Sequence, residues 1–217
     1  MERCPMNQAS TAGDIELPSS GQRGPADHDR RLEILRVANE HFRQYGYRKT
    51  TVADLSKAIG ITTAYIYRFF DSKQAIGEAI VAMVLAELDN ELRKIIAVQP
   101  SATSKFRAFS KQAMVLSHAL FINENKLFEL VVVAGEERWC TSAGHYDALA
   151  EMIRSIILEG RSTGEFERKT PLEDVVLGVQ EALIPYTHAS AMVRRSQAEL
   201  EAGVVAVSSM ILRSLAP

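Results

Sequence analysis

The chain has 217 residues, 47 % of them hydrophobic and 24 % charged, with a net charge of −2. This is the composition of a globular protein. No uninterrupted apolar run approaches the ~20 residues of a membrane span, which excludes a helical membrane protein, and the N-terminus has no apolar core of a signal peptide. A cytoplasmic protein with no membrane partner is expected. Of the two cysteines, Cys4 lies in a polar stretch, so no structural disulfide is expected, and neither cysteine has the histidine neighbours of a zinc site.

The charge is unevenly spread. Residues 1–28 carry two basic and four acidic side chains, residues 29–75 nine basic and five acidic, and residues 76–217 fourteen basic and eighteen acidic. Attraction to phosphate needs local charge, not global charge, so residues 29–75 are where a nucleic-acid contact belongs.

Residues 1–28 hold Pro5, Pro18 and Pro25 among Gly, Ser and Thr without periodicity, and read as a disordered tail. A first helix follows over about Asp29–Tyr45, with Ile34, Leu35, Ala38 and Phe42 as its apolar stripe and Gly46 as its stop. Arg48, Lys49 and Thr50 form a basic turn placed to meet a phosphate backbone. Thr51 with Asp54 is a capping box, so a short helix starts there and buries Val52, Leu55 and Ile59. Gly60 supplies the left-handed turn residue, and Thr62 caps a second short helix.

That second helix has two faces. Ile66, Phe69 and Phe70 cluster on the inner side, together with Thr62. Ala64 lies opposite, flanked by Tyr67 and Arg68, with Thr63 and Tyr65 on the shoulders. A helix-turn-helix places this outer face in a DNA major groove. Thr63, Ala64 and Tyr65 are the expected base contacts. Lys49, Thr51, Tyr67 and Lys73 are the expected phosphate contacts, and Arg68 can serve either. Asp71 and Gln74 have capping-box spacing at the start of the next helix, which leaves Lys73 in a first turn where the helix dipole disfavours a cation. A phosphate nearby would account for it; the alternative is an exposed lysine with no partner.

The run GITTAYIYRFFDSKQAI resembles the signature of TetR-family transcriptional regulators. The matching positions are Gly60, Ile61, Thr62, Ile66-Tyr67, Phe69-Phe70 and Ser72-Lys73, and the likeness extends back over residues 30–59. The family often has Gly where this chain has Ala64, Leu where it has Ile66 and His where it has Phe69. These departures keep the packing logic and leave the operator open. The resemblance implies an all-α protein: a three-helix helix-turn-helix head over residues 29–75, and a helical-bundle ligand-binding and dimerisation domain over 76–217.

A long helix from Ser72 to about Val98 carries Ile76, Ile80, Met83, Val84, Leu88, Leu92 and Ile95 and links the two parts. Further helices are expected over Ser101–Leu120, Asn123–Gly135 and His145–Thr163, with residues 136–144 as a loop. Thr170-Pro171-Leu172-Glu173 reads as a cap, a first-turn proline and a capping-box acid opening a helix over 172–193, which Pro185 should kink. Ser196 and Glu199 cap the last helix, 197–215.

In the resembled family the last two helices of each subunit form a four-helix dimer interface, which implies a homodimer here through 172–193 and 197–215. The body of that family holds a mostly apolar pocket whose small-molecule effector releases DNA. Phe109, Met114, His118, Trp139, Tyr146, Gln180 and Tyr186 are the candidate pocket residues, as aromatic or polar groups on body helices. No catalytic motif is present, and His28, His41, His118, His145 and His188 lack metal-ligand spacing. No cofactor or metal is expected. The reading is a repressor of double-stranded operator DNA, released by a small apolar ligand. Two rivals stay open: an enzyme working in an inter-helix pocket, and a helical interaction module that touches no DNA.

Overall fold

Helix-forming periodicity is carried through by the caps. The structure, a computed structural model, describes residues 25–192 and 194–217. Among these residues lie ten α-helices and no strand: α1 Pro25–Tyr45, α2 Val52–Ile59, α3 Thr63–Ile66, α4 Lys73–Ala97, α5 Ala102–Asn123, α6 Asn125–Glu136, α7 Cys140–Thr163, α8 Leu172–Thr187, α9 Ala189–Met192 and α10 Gln197–Ser214. Thr51 closes its capping box with Asp54, and Ser196 does the same with Glu199. Ser101 forms another with Ser104 at the head of α5.

Two hydrophobic cores result. The first gathers Ile34, Leu35, Ala38 and Phe42 of α1, Val52 and Leu55 of α2, and Ile66, Phe69 and Phe70. It continues into Ile76 and Ile80 of α4, Leu127, Leu130 and Val133 of α6, and Trp139. The second is the body core, with Phe106 and Phe109 of α5, Ile153 and Ile157 of α7, Leu183 of α8, and Leu200 and Val204 of α10. Each such side chain contributes roughly 1.5–3 kcal/mol on full burial. α4 is 25 residues long, about 37 Å at 1.5 Å per residue. It places Ile76–Leu85 in the first core and Leu92 in the second, so one rigid rod belongs to both. Met83, expected inside, sits at the edge of the buried stripe and is largely exposed.

Several boundaries differ from the sequence expectation. α1 starts at Pro25, not Asp29; proline suits a first turn, where its missing N–H has no intrahelical role. The disordered tail expected over 1–28 otherwise lies outside the described residues. Ser72, not Asp71, caps α4, its hydroxyl accepting from Ala75 N. The loop expected over 136–144 shrinks to Glu137–Trp139, because Trp139 N–H folds back onto the Ala134 carbonyl at 2.8 Å and lets α7 begin at Cys140. Thr170 is not a cap: Pro171 precedes α8 with no side-chain cap, and Glu173 reaches Arg154 instead. The helix over 172–193 is split, since α8 runs through Pro185, stops at Thr187, and gives way to extended His188 before α9. Cys140 is disulfide-bonded, which corrects the expectation of no disulfide; Cys4 lies outside the described residues.

Candidate DNA interface and ligand cavity

The turn between α2 and α3 follows from Gly60. Its φ of 80° lets its N–H reach the Ser56 and Lys57 carbonyls, while Ile61 N–H also bonds Ser56 O at 3.0 Å. Thr62 then accepts from Tyr65 N and starts α3. Below α3, Ile66, Phe69 and Phe70 are buried in the first core. Above it, Thr62, Ala64, Tyr67 and Arg68 are exposed, and Thr63 and Tyr65 are partly so. The Tyr65 ring lies edge-on to Phe69, with the Arg68 guanidinium 5.2 Å from its centroid. The outer face therefore offers hydroxyl, methyl and guanidinium groups on a firmly seated turn of helix.

A second candidate site lies between α4, α5, α6, α7 and the α8 end. One cavity of about 220 Å³ is walled by Leu85 and Leu88 of α4, Phe128, Val131 and Val132 of α6, and His145. A neighbouring cavity of about 200 Å³ is walled by Phe109, Leu149, Ile153, Gln180 and Leu183. The two share Tyr146, Thr187 and His188. The Tyr146 and His188 rings stack at 4.1 Å and 12°. Behind His145 is Asp89, only 7 % exposed on α4, with the His145 Nδ1 2.8 Å from its Oδ1. An ionised carboxylate only accepts, so Nδ1 donates. Burial, with His145 nearby, pushes the His188 pKa down, and burial pushes that of the Tyr146 hydroxyl up.

The sequence pattern of bacterial regulatory proteins of the tetR family matches residues 34–80, and that of the tetracyclin repressor-like C-terminal domain matches residues 102–208. Between them they take in most of both cores. This chain belongs to the TetR family. It is a DNA-binding transcriptional regulator of that family. The HTH-type transcriptional repressor KstR2 of Rhodococcus jostii (strain RHA1) is 28 % identical over 148 residues, spanning 66 % of this chain and 71 % of that protein. A TetR-family regulator of Pectobacterium atrosepticum has the same fold at a TM-score of 0.71 and 20 % identity, covering 89 % of this chain and 98 % of its own. Thermus thermophilus FadR, solved in complex with lauroyl-CoA, superposes at a TM-score of 0.61 and 20 % identity, covering 85 % of this chain and 94 % of its own.

Within the family's helix-turn-helix, the candidate residues fall into two groups. Thr62, Thr63, Ala64, Tyr65, Tyr67 and Arg68 make up the outward surface, and Arg48 and Lys49 are exposed in the turn ahead of α2. Arg48 also lies 3.8 Å from Glu136 of α6. Thr50 departs from its expected place in DNA contact. It is 1 % exposed, and its hydroxyl donates to Gly46 O and meets His41. Thr51 is exposed, but its N–H and hydroxyl both bond Asp54, whose carboxyl is thereby held below its usual range. Lys73 has its partners within the protein. Its Nζ donates to the Tyr47 and Thr50 carbonyls, at 3.2 and 3.1 Å, and sits 4.3 Å from the Tyr47 ring centre.

On the ligand side, Phe109, Tyr146 and Gln180 line the cavities. Met114, His118, Trp139 and Tyr186 line neither of the two. Met114 and Tyr186 are packed in the body core, His118 is buried, and Trp139 is in the first core against Tyr47. His145, His188, Thr187 and Asp89 were not among the candidates. Asp89, an acid one turn from Leu85 and three residues from Leu92 on a buried stripe, was the signal available in the sequence.

Proposed function

We propose that this protein is a homodimeric repressor that a small, mostly apolar molecule releases from operator DNA. The observation that carries this reading is α4. Its first turn is clamped to the helix-turn-helix by Lys73, and further along it Leu85 and Leu88 wall the cavity. A ligand that favours one position of α4 must then bias the position of the recognition helix, which is a two-state coupling. KstR2 is named a repressor, and Thermus thermophilus FadR is a repressor solved in complex with lauroyl-CoA. Both support regulation through such a body.

In this reading residues 29–75 are the DNA-binding unit and 76–217 the ligand-binding and dimerisation unit. Thr63, Ala64 and Tyr65 read bases. Lys49, Arg48 and Tyr67 hold phosphates, and Arg68 serves either. Thr51 acts through its cap, and Lys73 by fixing the turn before α2. The dimer forms through α8 and α10, so that two recognition helices meet two half-sites. Operator DNA places the protein in the cytoplasm.

The test is fluorescence anisotropy of the full chain with labelled DNA from upstream of its own gene, against random DNA, over a range of salt. Tight, selective binding with a steep salt slope is expected. Equal, weak binding to both DNAs would count against the reading.

A further inference from the structure

We infer that the molecule this cavity accepts is an uncharged alcohol or phenol on an apolar body, with its hydroxyl held between His145 and Tyr146. The inference rests on the ligand-released reading above and names the chemical class of that ligand.

Volume sets the first limit. The two adjacent spaces, about 220 and 200 Å³, share Tyr146, Thr187 and His188 as lining, and taken together they reach the lower half of the ~300–1,000 Å³ range of small-molecule pockets. About half of the lining residues are Leu, Ile, Val or Phe, so a large part of the ligand must be apolar, and polar side chains supply most of the rest of the walls.

Charge sets the second. No lysine or arginine is among the residues lining either space, whereas Glu136 lines one and Glu181 the other. Arg48 approaches Glu136 from outside and does not line the cavity. Asp89 stands behind His145, and burial favours the neutral form of His188. A carboxylate would lose its hydration there without a cation to meet. The phosphates of a coenzyme A thioester would lack the Arg and Lys donors that phosphate recognition uses.

Hydrogen bonding sets the third. With Nδ1 turned to Asp89, Nε2 is the ring atom left to His145 for the cavity it lines, and it accepts a hydrogen bond whenever the ring is neutral. The adjacent Tyr146 brings a phenolic O–H, which burial keeps protonated. The two ring centres lie 5.6 Å apart and both residues line the same cavity, so an acceptor and a donor there match the two halves of one hydroxyl group. Asp89 fixes the tautomer and ties the contact to α4.

The experiment is isothermal titration calorimetry of the full chain at pH 7.5 with 2-naphthol, naphthalene, 2-naphthoate and lauroyl-CoA. We expect 2-naphthol to bind at least tenfold more tightly than 2-naphthoate, and lauroyl-CoA to give no binding. His145→Phe and Tyr146→Phe should each weaken 2-naphthol about tenfold and leave naphthalene unchanged. Unchanged naphthalene also shows that each variant keeps a folded cavity. Binding of 2-naphthoate or lauroyl-CoA as tight as that of 2-naphthol overturns the assignment. So does absence of 2-naphthol binding, or full 2-naphthol affinity in both variants. The operator complex is followed separately. If 2-naphthol binds as expected but leaves DNA bound, the release reading fails and the cavity assignment stands. If a carboxylate binds and releases DNA, the reverse holds.

Discussion

Lys73 shows how a single side chain ties sequence to function. In the first turn of α4 the dipole opposes its charge, and desolvation pushes its pKa down. Two carbonyls and the Tyr47 ring face compensate, and the result is a fixed turn ahead of α2. On that fixed frame the exposed residues can be tested singly. Tyr67 is 49 % exposed and in our reading donates to a phosphate. Tyr67→Phe should weaken binding to all DNA sequences alike, by about 1 kcal/mol per contact, with the salt slope unchanged because no charge is lost. Thr63→Ala should instead change the ranking of operator variants. Anisotropy across a set of single-base operator variants separates the two outcomes, and equal affinity of Tyr67→Phe and wild type would remove that contact. At the far end of the molecule Glu165 caps α5 from a distance, accepting from Ala102 N and Thr103 N at 3.0 Å each. Those backbone donors, first that of Thr103, hold its carboxyl at about 2, against an ordinary 4.5. Its contribution is thus complete above the ordinary value and fades as pH falls toward the folded one. Glu165→Gln should lose about 1 kcal/mol at neutral pH. The gap in melting temperature from wild type should narrow between pH 5 and pH 3; a gap independent of pH would show that the carboxylate charge is not what caps α5.

At the scale of elements, α6 is the piece that joins the two halves. Leu127, Leu130 and Val133 pack into the first core, while Phe128, Val131 and Val132 wall the cavity. Trp139, just after α6, locks this helix to the head. Its ring meets Tyr47 edge-on, and it lies so close to Gly77 that a Cβ there would come within 3.0 Å of the indole. Trp139→Ala should therefore cost about 3–5 kcal/mol, read as a lower urea midpoint; a change under 1 kcal/mol would show that the contact does not hold the parts together. Local signals made much of this fold legible. Thr51, Gly60, Thr62, Ser101 and Ser196 announce helix ends through their own backbone chemistry, and the periodicity of α1 and α10 is plain. What stayed hidden depends on distant partners. Residues 136–144 look like a loop until Trp139 is seen turning back on Ala134. Thr170 looks like a cap until Glu167 is seen bonding its N–H. The same limit explains the ligand side. Aromatic residues on body helices do not disclose which of them face inward, so Trp139 and Tyr186 were named while the Asp89–His145 pair, 56 residues apart, was not.

For the whole molecule, the question is what the outer surface of α8 and α10 meets. The two helices pack side by side in the body, yet Leu177 on α8 and Val205 and Met210 on α10 are each 57–58 % exposed. Scattered exposed apolar side chains are ordinary on a protein surface. Three on two adjacent helices, with Gly178 beside Leu177 leaving room for close approach, suit a self-complementary interface. That interface bears on DNA binding through geometry. Each head reads one half-site, so a dimer gains from the second contact being effectively intramolecular. Leu177→Glu combined with Val205→Glu places like charges across a two-fold axis and should convert the dimer to a monomer in sedimentation velocity. Operator affinity should fall by roughly a hundredfold or more, as expected when the second site is no longer tethered. Neither substitution touches the residues that line the cavity, so calorimetric ligand affinity should persist in the monomer. A double variant that sediments as a dimer would move the interface to another face. One that is monomeric yet binds the operator at full strength would show that a single helix-turn-helix head suffices.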